Sequence, residues 1–334
     1  MAMNEATGAS RMTIGLDIGG TNMRAALVDD TGQIVDRFKI TTEIASGATQ
    51  AVQRLTDECR RLMKRAIEMR GIVLGVGLGV AGKIDAARGL VVFSPNLPAM
   101  RDYPLAAELQ EKLHLPVVME NDANAFGLGE KWVGLGRRIR NWIGLTLGTG
   151  VGGCLFLDDR LWNGDDLGFA GEIGHMIVDP NGPLCACGLR GCLEAHSSGR
   201  ALVEGVAAAV SKGEMPDGPL HALSQSNSLS PLQVYQFAQD GNPVALRLFE
   251  RMGWALGLAL ANLFTVLGIR HAIIGGGVSA GWDLFAGALN ESLAKHSSML
   301  DVEDMEVWKS TLGDDAAVLG VAWLARKRCD GNRP

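Results

Sequence analysis

The chain opens on short apolar runs punctuated by turn residues. Residues 13–17, 25–28 and 34–39 read as three strands, broken by Gly19-Gly20-Thr21 and by Asp29-Asp30-Thr31-Gly32. Over residues 47–69 the period changes, and Val52, Leu55, Cys59, Leu62, Met63 and Ala66 recur at helical spacing. Residues 72–80 read as a buried strand thick with glycine; a loop marked by Pro95, Pro98 and Pro104 follows, then a short helix over 105–113. A strand over 117–119 stops at Glu120-Asn121-Asp122. The second half carries a loop-rich insert at 161–198 and helices around 201–210, 231–239 and 242–269. A strand over 271–274 then ends in Gly275-Gly276-Gly277, and 316–327 is a closing helix. The pattern of strands and helices predicts an α/β protein.

Residues 15–30 laid on 144–159 repeat Gly15-Leu16, Gly19 and Asp29-Asp30 at one offset of 129. Strand, glycine turn, strand and Asp-Asp turn follow in the same order in both, which favours two related α/β domains. Each half would then present one glycine turn.

Composition sharpens this picture at one point. Glycine accounts for 44 of 334 residues, about 13% against a usual share of roughly 7%. No Gly-X-Y period runs through the chain, and 47% of residues are hydrophobic, so neither collagen nor a disordered linker explains the excess. Segments 19–20, 75–82, 148–153, 171–191 and 275–277 hold 18 of these glycines, and they read as backbone left bare for ligands and metal. A net charge of −6 without a basic block makes nucleic acid a poor partner. The longest apolar stretch, 253–269, is too short and too polar for a span, so no membrane is expected. The first eleven residues show no secretory signal, and three of six cysteines crowd into 185–192. A reducing, cytoplasmic setting fits these features.

Five motifs carry chemistry. Asp17-Ile18-Gly19-Gly20-Thr21-Asn22, at a strand end, offers bare backbone N–H groups and a hydroxyl to an anion, and a carboxylate to a hydrated Mg²⁺. The competing reading is an ordinary hairpin turn. Gly148-Thr149-Gly150-Val151-Gly152-Gly153 is a second such turn, and Gly275–Gly277 offers a flat approach to a base or ribose. Gly77-Leu78-Gly79-Val80-Ala81-Gly82 formally fits a dinucleotide fingerprint, but no helix follows it, so it reads as a decoy. Asp122 in Glu120-Asn121-Asp122-Ala123-Asn124 reads either as a helix N-cap or as a carboxylate at a strand's carboxyl end, able to take a proton from an attacking hydroxyl. His175, Cys185, Cys187 and Cys192 supply one imidazole and three thiols, the ligand set of a closed tetrahedral Zn²⁺ site, against the alternatives of buried free thiols or a redox pair. Glu172 and Glu194 flank these ligands, and carboxylates, Asn and His together suit the hydroxyls of a sugar. His196, His221 and His296 have no partner pattern and read as surface or packing residues.

Together Asp17-x-Gly-Gly-Thr21, Glu120-Asn-Asp122-Ala-Asn124, Gly148-Thr-Gly150-x-Gly152-Gly153, Gly171-Glu172-x-Gly-His175 and Cys185-x-Cys-Gly-x-x-Gly-Cys192-Leu-Glu194 resemble the ROK family of bacterial sugar kinases and repressors. The resemblance runs from about residue 13 to the closing helix. It implies an actin-like ATPase (ribonuclease H-like) fold with two α/β domains around a central cleft for hexose and ATP. The smaller N-terminal domain would be 1–122 plus about 316–334, and the larger C-terminal domain 123–315, with the zinc-binding loop at 171–194. Asp122 matches the family's catalytic base on the sugar 6-hydroxyl. Asn121, Glu172, His175 and Glu194 match sugar contacts, with Gly82 and Asn96 at the cleft's edge. Asp17, Gly19, Gly20, Thr21 and Asn22 match one ATP loop and Gly148, Thr149, Gly150 and Gly152 the other, with Gly276 and Gly277 near the nucleoside. His175, Cys185, Cys187 and Cys192 match the zinc ligands.

The expectation is therefore an ATP-dependent hexose kinase, a glucokinase or an N-acetylhexosamine or other hexose kinase, using ATP, Mg²⁺ at Asp17 and structural Zn²⁺, and assembled as a homodimer or homotetramer. A sugar-responsive repressor needs an N-terminal helix-turn-helix domain of roughly 60 residues. Only 16 residues precede Asp17, so that reading is disfavoured.

Overall fold

The computed structural model describes residues 9–19, 22–41, 47–94, 97–165, 169–299 and 301–331. Three antiparallel strands open the chain, β1 (Ser10–Ile18), β2 (Asn22–Val28) and β3 (Ile34–Thr41), followed by α1 (Ala48–Glu68) and β4 (Gly71–Val80). Next come the small hairpin β5 (Lys83–Asp85) and β6 (Leu90–Phe93), then α2 (Leu105–Leu113), β7 (Val117–Asn121) and α3 (Asp122–Trp132). The sequence supplies β8 (Trp142–Leu147), β9 (Val151–Leu157) and β10 (Arg160–Leu161), then helices α4 (Glu194–Ser197), α5 (Gly199–Ser211), α6 (Pro219–Gln225), α7 (Pro231–Gln239) and α8 (Pro243–Leu267). It ends with β11 (His271–Gly275), α9 (Trp282–His296), β12 (Glu306–Lys309) and α10 (Ala316–Cys329).

The two main sheets have strand orders β3-β2-β1-β4-β7 and β10-β9-β8-β11-β12. Numbered within its own sheet, each reads third, second, first, fourth, fifth. The sequence echo is thus a repeat of topology, and its offset carries Asn22–Val28 onto Val151–Leu157, the limits of β2 and β9. The matching Asp-Asp pairs, however, make different turns. Asp158 and Asp159 both have positive φ, 53° and 65°, as a two-residue type I′ hairpin requires. The Asp29 turn is longer, with the Asp29 carboxylate accepting from Thr31 N, Thr31 Oγ1 and Gln33 N.

By compactness the chain forms two units, 1–140 with 155–170 and 311–334, and 141–154 with 171–310. Helix α3 belongs to the first unit, beyond the expected boundary at residue 122.

In the first unit β4 alternates glycine with an aliphatic residue from Gly75 to Val80. Val76, Leu78 and Val80 are fully buried with Ile14, Leu16 and Ile18 of β1 against Val52, Leu55 and Leu62 of α1. The opposite face is nearly bare, and α10 lies on it. A Cβ at Gly77 would stand 1.9 Å from Val321 O and one at Gly15 of β1 2.0 Å from Val318 O. On its other side α10 meets α3 in the same way, with Gly129 against Ala316 O and Gly320 against Ala125 O, both at 1.9 Å. Gly77, which opens the decoy fingerprint, is therefore part of the seat for α10, whereas Gly82 at its end packs on Phe93 and Ser94. The second unit repeats the device, since a Cβ at Gly253 or Gly257 of α8 would stand 2.3 Å from Phe285 O or Leu289 O of α9. The reading of Gly77 as ligand-facing backbone is corrected here, and Gly15, Gly129, Gly253, Gly257 and Gly320, outside the segments read that way, likewise let helices touch backbone to backbone.

The predicted helix over 242–269 is α8, capped by the Asn242 side chain on Val244 N and Ala245 N and closed by Gly268 in the left-handed region. No described helix is long and apolar enough to cross a membrane. Gly77→Ala should lower unfolding free energy by about 1–3 kcal/mol through overpacking. Gly287→Ala, in α9 with open space around it, should raise it by about 0.5–1 kcal/mol. Urea melts at constant m-value measure both, and equal midpoints for the two variants would refute the packing role.

Candidate active site

Parallel strands β1, β4 and β7 end side by side, with Asp17 opposite Gly79 and Gly79 opposite Glu120. The crevice beyond the carboxyl ends of such strands is where open α/β sheets bind ligands. Asp17 is buried, and across the β1–β2 ladder it faces Arg24. Arg24 Nη1 donates to Asp17 Oδ2 at 3.2 Å and Nη2 to Asp314 Oδ2 at 2.7 Å, so one guanidinium holds two carboxylates. Burial, then the like charge of Asp122, raises the Asp17 carboxyl to about 6, against the pull of Arg24.

The strand over 117–119 runs two residues further, to Asn121, and Asn121 rather than Asp122 caps α3. Its Oδ1 accepts from Ala123 N at 2.9 Å and Asn124 N at 3.3 Å, while its Nδ2 donates to Gly82 O at 3.2 Å. That corrects the N-cap alternative for Asp122, which opens the helix and is only half-buried. An anionic side chain in a first helical turn is favoured by the free N–H groups there. Glu120 is buried, accepts from Asn124 Nδ2 and Asn121 N at 3.0 Å each, and is pushed up by that burial. Gly82 takes φ 116°, a conformation open to glycine, and a Cβ there would stand 2.5 Å from Phe93 O. Gly19 is half-buried and Asn22 opens β2; Gly20, Thr21 and Asn96 lie outside the described residues.

In the second unit Gly148, Thr149 and Gly277 line one cavity of about 640 Å³, within the usual size of a small-molecule site. Its walls are Leu202 and Val203 of α5, Pro231 and Tyr235 of α7, and Phe249 of α8. Nothing stands within 4 Å of a Cβ at Gly148 or Gly277, so both present open backbone. Gly276 has φ 85°, and a Cβ there would meet Leu147 O at 2.4 Å. Gly150 and Gly152 differ in role from Gly148: the former faces the Glu194 carboxylate, 2.3 Å from its Cβ position, and the latter lies within β9.

The ligand atoms of His175, Cys185, Cys187 and Cys192 lie within 4.8 Å of one another. Cys187 Sγ is 3.6 Å from Cys192 Sγ, and Cys185 Sγ is 3.8 Å from His175 Nδ1. A tetrahedral ion with metal–sulfur bonds of about 2.3 Å has ligand–ligand edges of about 3.8 Å, so the cluster has the dimensions of such a site. Two glycine turns fold it: Gly188 (φ 91°) lets Cys185 N reach Leu189 O at 2.7 Å, and Gly191 (φ 71°) lets Val178 N reach Gly191 O at 2.8 Å. Glu172 is exposed just before a single 3-10 turn, Ile173–His175. Glu194 Oε2 accepts from Val151 N at 3.0 Å, and its Oε1 lies 3.8 Å from Cys185 Sγ.

Sequence reasoning missed Arg24, Asp314 and the cavity walls on α5 and α7. A lone cation in the apolar strand Met23-Arg24-Ala25-Ala26-Leu27 was the available signal for Arg24. It also missed Ser94, whose Oγ is buried without a partner among the described residues and whose backbone abuts Gly82.

The profile of the ROK family matches residues 13–328. A glucokinase of Thermotoga maritima is 34% identical over 319 residues, 95% of this chain and 98% of that protein. An N-acetylmannosamine kinase of Citrobacter koseri is 30% identical over 315 residues, 94% and 98% of the two chains. The crystal structure of a ROK family glucokinase from Streptomyces griseus in complex with glucose and AMPPNP superposes with a TM-score of 0.78 at 34% identity, covering 95% of this chain and 99% of that one.

The Asp17 shift has a sign that can be measured. Its carboxyl titrates near 3.8 in the unfolded chain and about 6 in the fold, so between those values only the folded protein holds the proton. Stability from this group is full below pH 3.8, falls as pH rises to about 6 and is flat above, a loss of roughly 3 kcal/mol. Asp17→Asn should therefore melt higher than the parent at pH 8, with the advantage gone near pH 4; parallel pH profiles would refute the shift.

Proposed function

The chain belongs to the ROK family and is an ATP-dependent sugar kinase; from that premise we propose that it phosphorylates the 6-hydroxyl of a hexose, glucose foremost, with Asp122 as general base. The observation that carries this reading is the carboxylate of Asp122 in the first turn of α3, beyond the strand ends, with Asn121 fixing that turn. In that position the partial positive charge of the helix N-terminus favours a negative side chain, and a carboxylate there can act as proton acceptor. As the sugar oxygen bonds to the γ-phosphorus, its proton passes to Asp122 and the bond to the β-phosphate oxygen breaks, releasing ADP. Little covalent work falls to the protein, so positioning dominates.

The open backbone of Gly148 and Gly277 and the 640 Å³ cavity support a nucleoside and its phosphates there, with Thr149, Gly150, Gly152 and Gly276 in the same loops. Gly19, Gly20, Thr21 and Asn22 would form the other phosphate turn. Asp17 fits a hydrated Mg²⁺: its charge is buried beside Asp122 and compensated only in part by Arg24. Mg²⁺ bound with ATP supplies positive charge that offsets the charge on the transferring phosphate. For the sugar, Asn121, Glu172, His175 and Glu194 supply donors and acceptors, with Gly82 and Asn96 at the edge.

Three thiols and His175 Nδ1 at tetrahedral spacing support a structural Zn²⁺. Facing Nδ1 to the metal leaves the proton on Nε2, which can then donate to a sugar hydroxyl. An N-acetylhexosamine remains the second substrate reading, favoured by the Citrobacter koseri relative.

ADP release across a hexose panel should be fastest with glucose; a preference for N-acetylmannosamine would transfer the assignment. Asp122→Asn should cut turnover about 10²–10⁴-fold while sugar affinity stays nearly unchanged, and wild-type turnover would remove Asp122 from its role. Metal analysis should find one Zn per chain, and Cys187→Ser should lose it together with part of the melting temperature, since structural zinc binding is folding free energy. Zinc-free protein of undiminished stability would overturn that assignment.

A further inference from the structure

The second unit holds another cavity, of about 520 Å³, which shares only Leu202 and Glu204 of α5 with the larger one and none of the residues proposed to contact sugar, phosphate or metal. It lies against α5 and α8, with Gly182, Arg190 and His196 on its third side. Four cations line it, Arg190, Lys212, Arg247 and Arg251, against two acids, Glu204 and Glu214.

These cations are unequally engaged. Arg251 donates to Asp179 Oδ2 at 2.5 Å and lies 3.8 Å over the Trp254 ring. Arg190 donates to Gly182 O at 3.4 Å. Lys212 and Arg247 have no side-chain partner among the described residues. Beside them sits an unusual histidine. His196 is 7% exposed, and its Nδ1 accepts from Arg251 Nε at 3.4 Å, which puts its proton on Nε2. Burial, then Arg251, keeps the ring neutral, with its pKa pushed down to about 4. Nε2 itself is buried with no partner among the described residues, and a buried donor left unpaired costs about 1–3 kcal/mol. Next to it stands Gly182, where a Cβ would come within 2.8 Å of Nε2. Two free cations, a neutral N–H donor and no side chain at Gly182 describe an incomplete anion site.

We propose that this cavity binds a small phosphomonoester and that its occupancy changes nucleotide affinity. Lys212 and Arg247 meet the dianion, Arg247 through its planar fork, and His196 Nε2–H supplies the buried donor. A volume of about 520 Å³ exceeds what bare phosphate fills, leaving room for an organic part. The route to the nucleotide is short. Leu202 and Glu204 of α5 line both cavities, and Gly199 N, at the start of α5, donates to Gly148 O in the glycine turn at 2.8 Å. This coupling rests on reading the larger cavity as the nucleotide site.

Calorimetry on the full chain tests it, with glucose and AMPPNP present so that the kinase site is filled. Glycerol 3-phosphate should bind one site per chain with Kd of about 1 mM or tighter, uncharged glycerol should not bind, and Lys212→Ala/Arg247→Ala should weaken binding at least about tenfold, or about 1.4 kcal/mol. Both substituted residues are exposed and outside the catalytic machinery, so basal turnover should persist. By linkage AMPPNP affinity should shift about fivefold or more when glycerol 3-phosphate is added. No saturable binding, or binding unaltered in the double variant, overturns the site; inorganic phosphate binding as tightly overturns the phosphomonoester. Unchanged AMPPNP affinity overturns the coupling, whereas failure of AMPPNP to bind at all would count against the nucleotide reading instead.

Discussion

Contact between backbones, at distances where no side chain fits, governs the first unit. Helix α10 rests on Gly15 of β1 and Gly77 of β4, and crosses α3 through Gly129 and Gly320. The missing Cβ at each of these four positions brings a carbonyl within van der Waals reach of the glycine Cα atom, and dense packing of this kind tolerates no added methyl group cheaply. The consequence reaches the site through the residues just before α10. Asp314 pairs with Arg24, and Asp315 pairs with Arg37 at 3.0 Å. The guanidinium that steadies Asp17 is thus itself held by a residue whose position depends on the seat of α10.

Charge at the strand ends is arranged around a deficit. Asp17 and Asp122 repel each other, and Arg24 divides its attraction between Asp17 and Asp314. A protein selected only for stability would not bury a carboxylate in that setting, because desolvation and like charge both oppose ionisation. A kinase gains from it. An ion pair with a metal and phosphate becomes stronger where water is scarce, so if Asp17 meets Mg-ATP as proposed, its unfavourable burial would be recovered when ligand binds.

Much of this was legible in the residues, and the rest fails for identifiable reasons. Limits of α2 and α7 fall where turn chemistry and apolar spacing put them, since Pro104, Ser230 and the left-handed His114 leave little choice. The repeat was legible as well, because both glycine turns and both Asp-Asp pairs survive at one offset. What composition could not disclose was the partner of each glycine. Gly148 faces open space and Gly77 faces Val321 O, yet the two are identical in a one-dimensional string. The same limit hid Arg24, whose role needs the β1–β2 register, and His196, whose neighbours Asp179, Arg251 and Trp254 come from distant segments. The alternative that made Asp122 the cap missed by one residue because strand β7 continues through Asn121, and only the backbone trace decides which oxygen reaches the free N–H groups.

In the second unit the cysteine loop and the glycine turn are one mechanical element. Gly171 packs on Gly153 O, with only 2.5 Å to a Cβ, Gly174 packs on Val151 O at 2.1 Å, and Glu194 hydrogen-bonds Val151 N. Each contact joins the segment that carries His175 and the cysteines to the start of β9, directly after Gly148-Thr149-Gly150. Because the two glycine contacts are backbone to backbone and the third is a hydrogen bond to backbone, a shift of the loop would carry the turn with it, and whatever crosslinks the loop also sets the turn. A metal bound as proposed by those four side chains of 175–192 would therefore fix the geometry of the Gly148–Gly150 turn with no need to touch a substrate. That would explain why a cluster suited to a closed tetrahedral metal, with no open position for chemistry, lies a few residues from those proposed to meet sugar and phosphate.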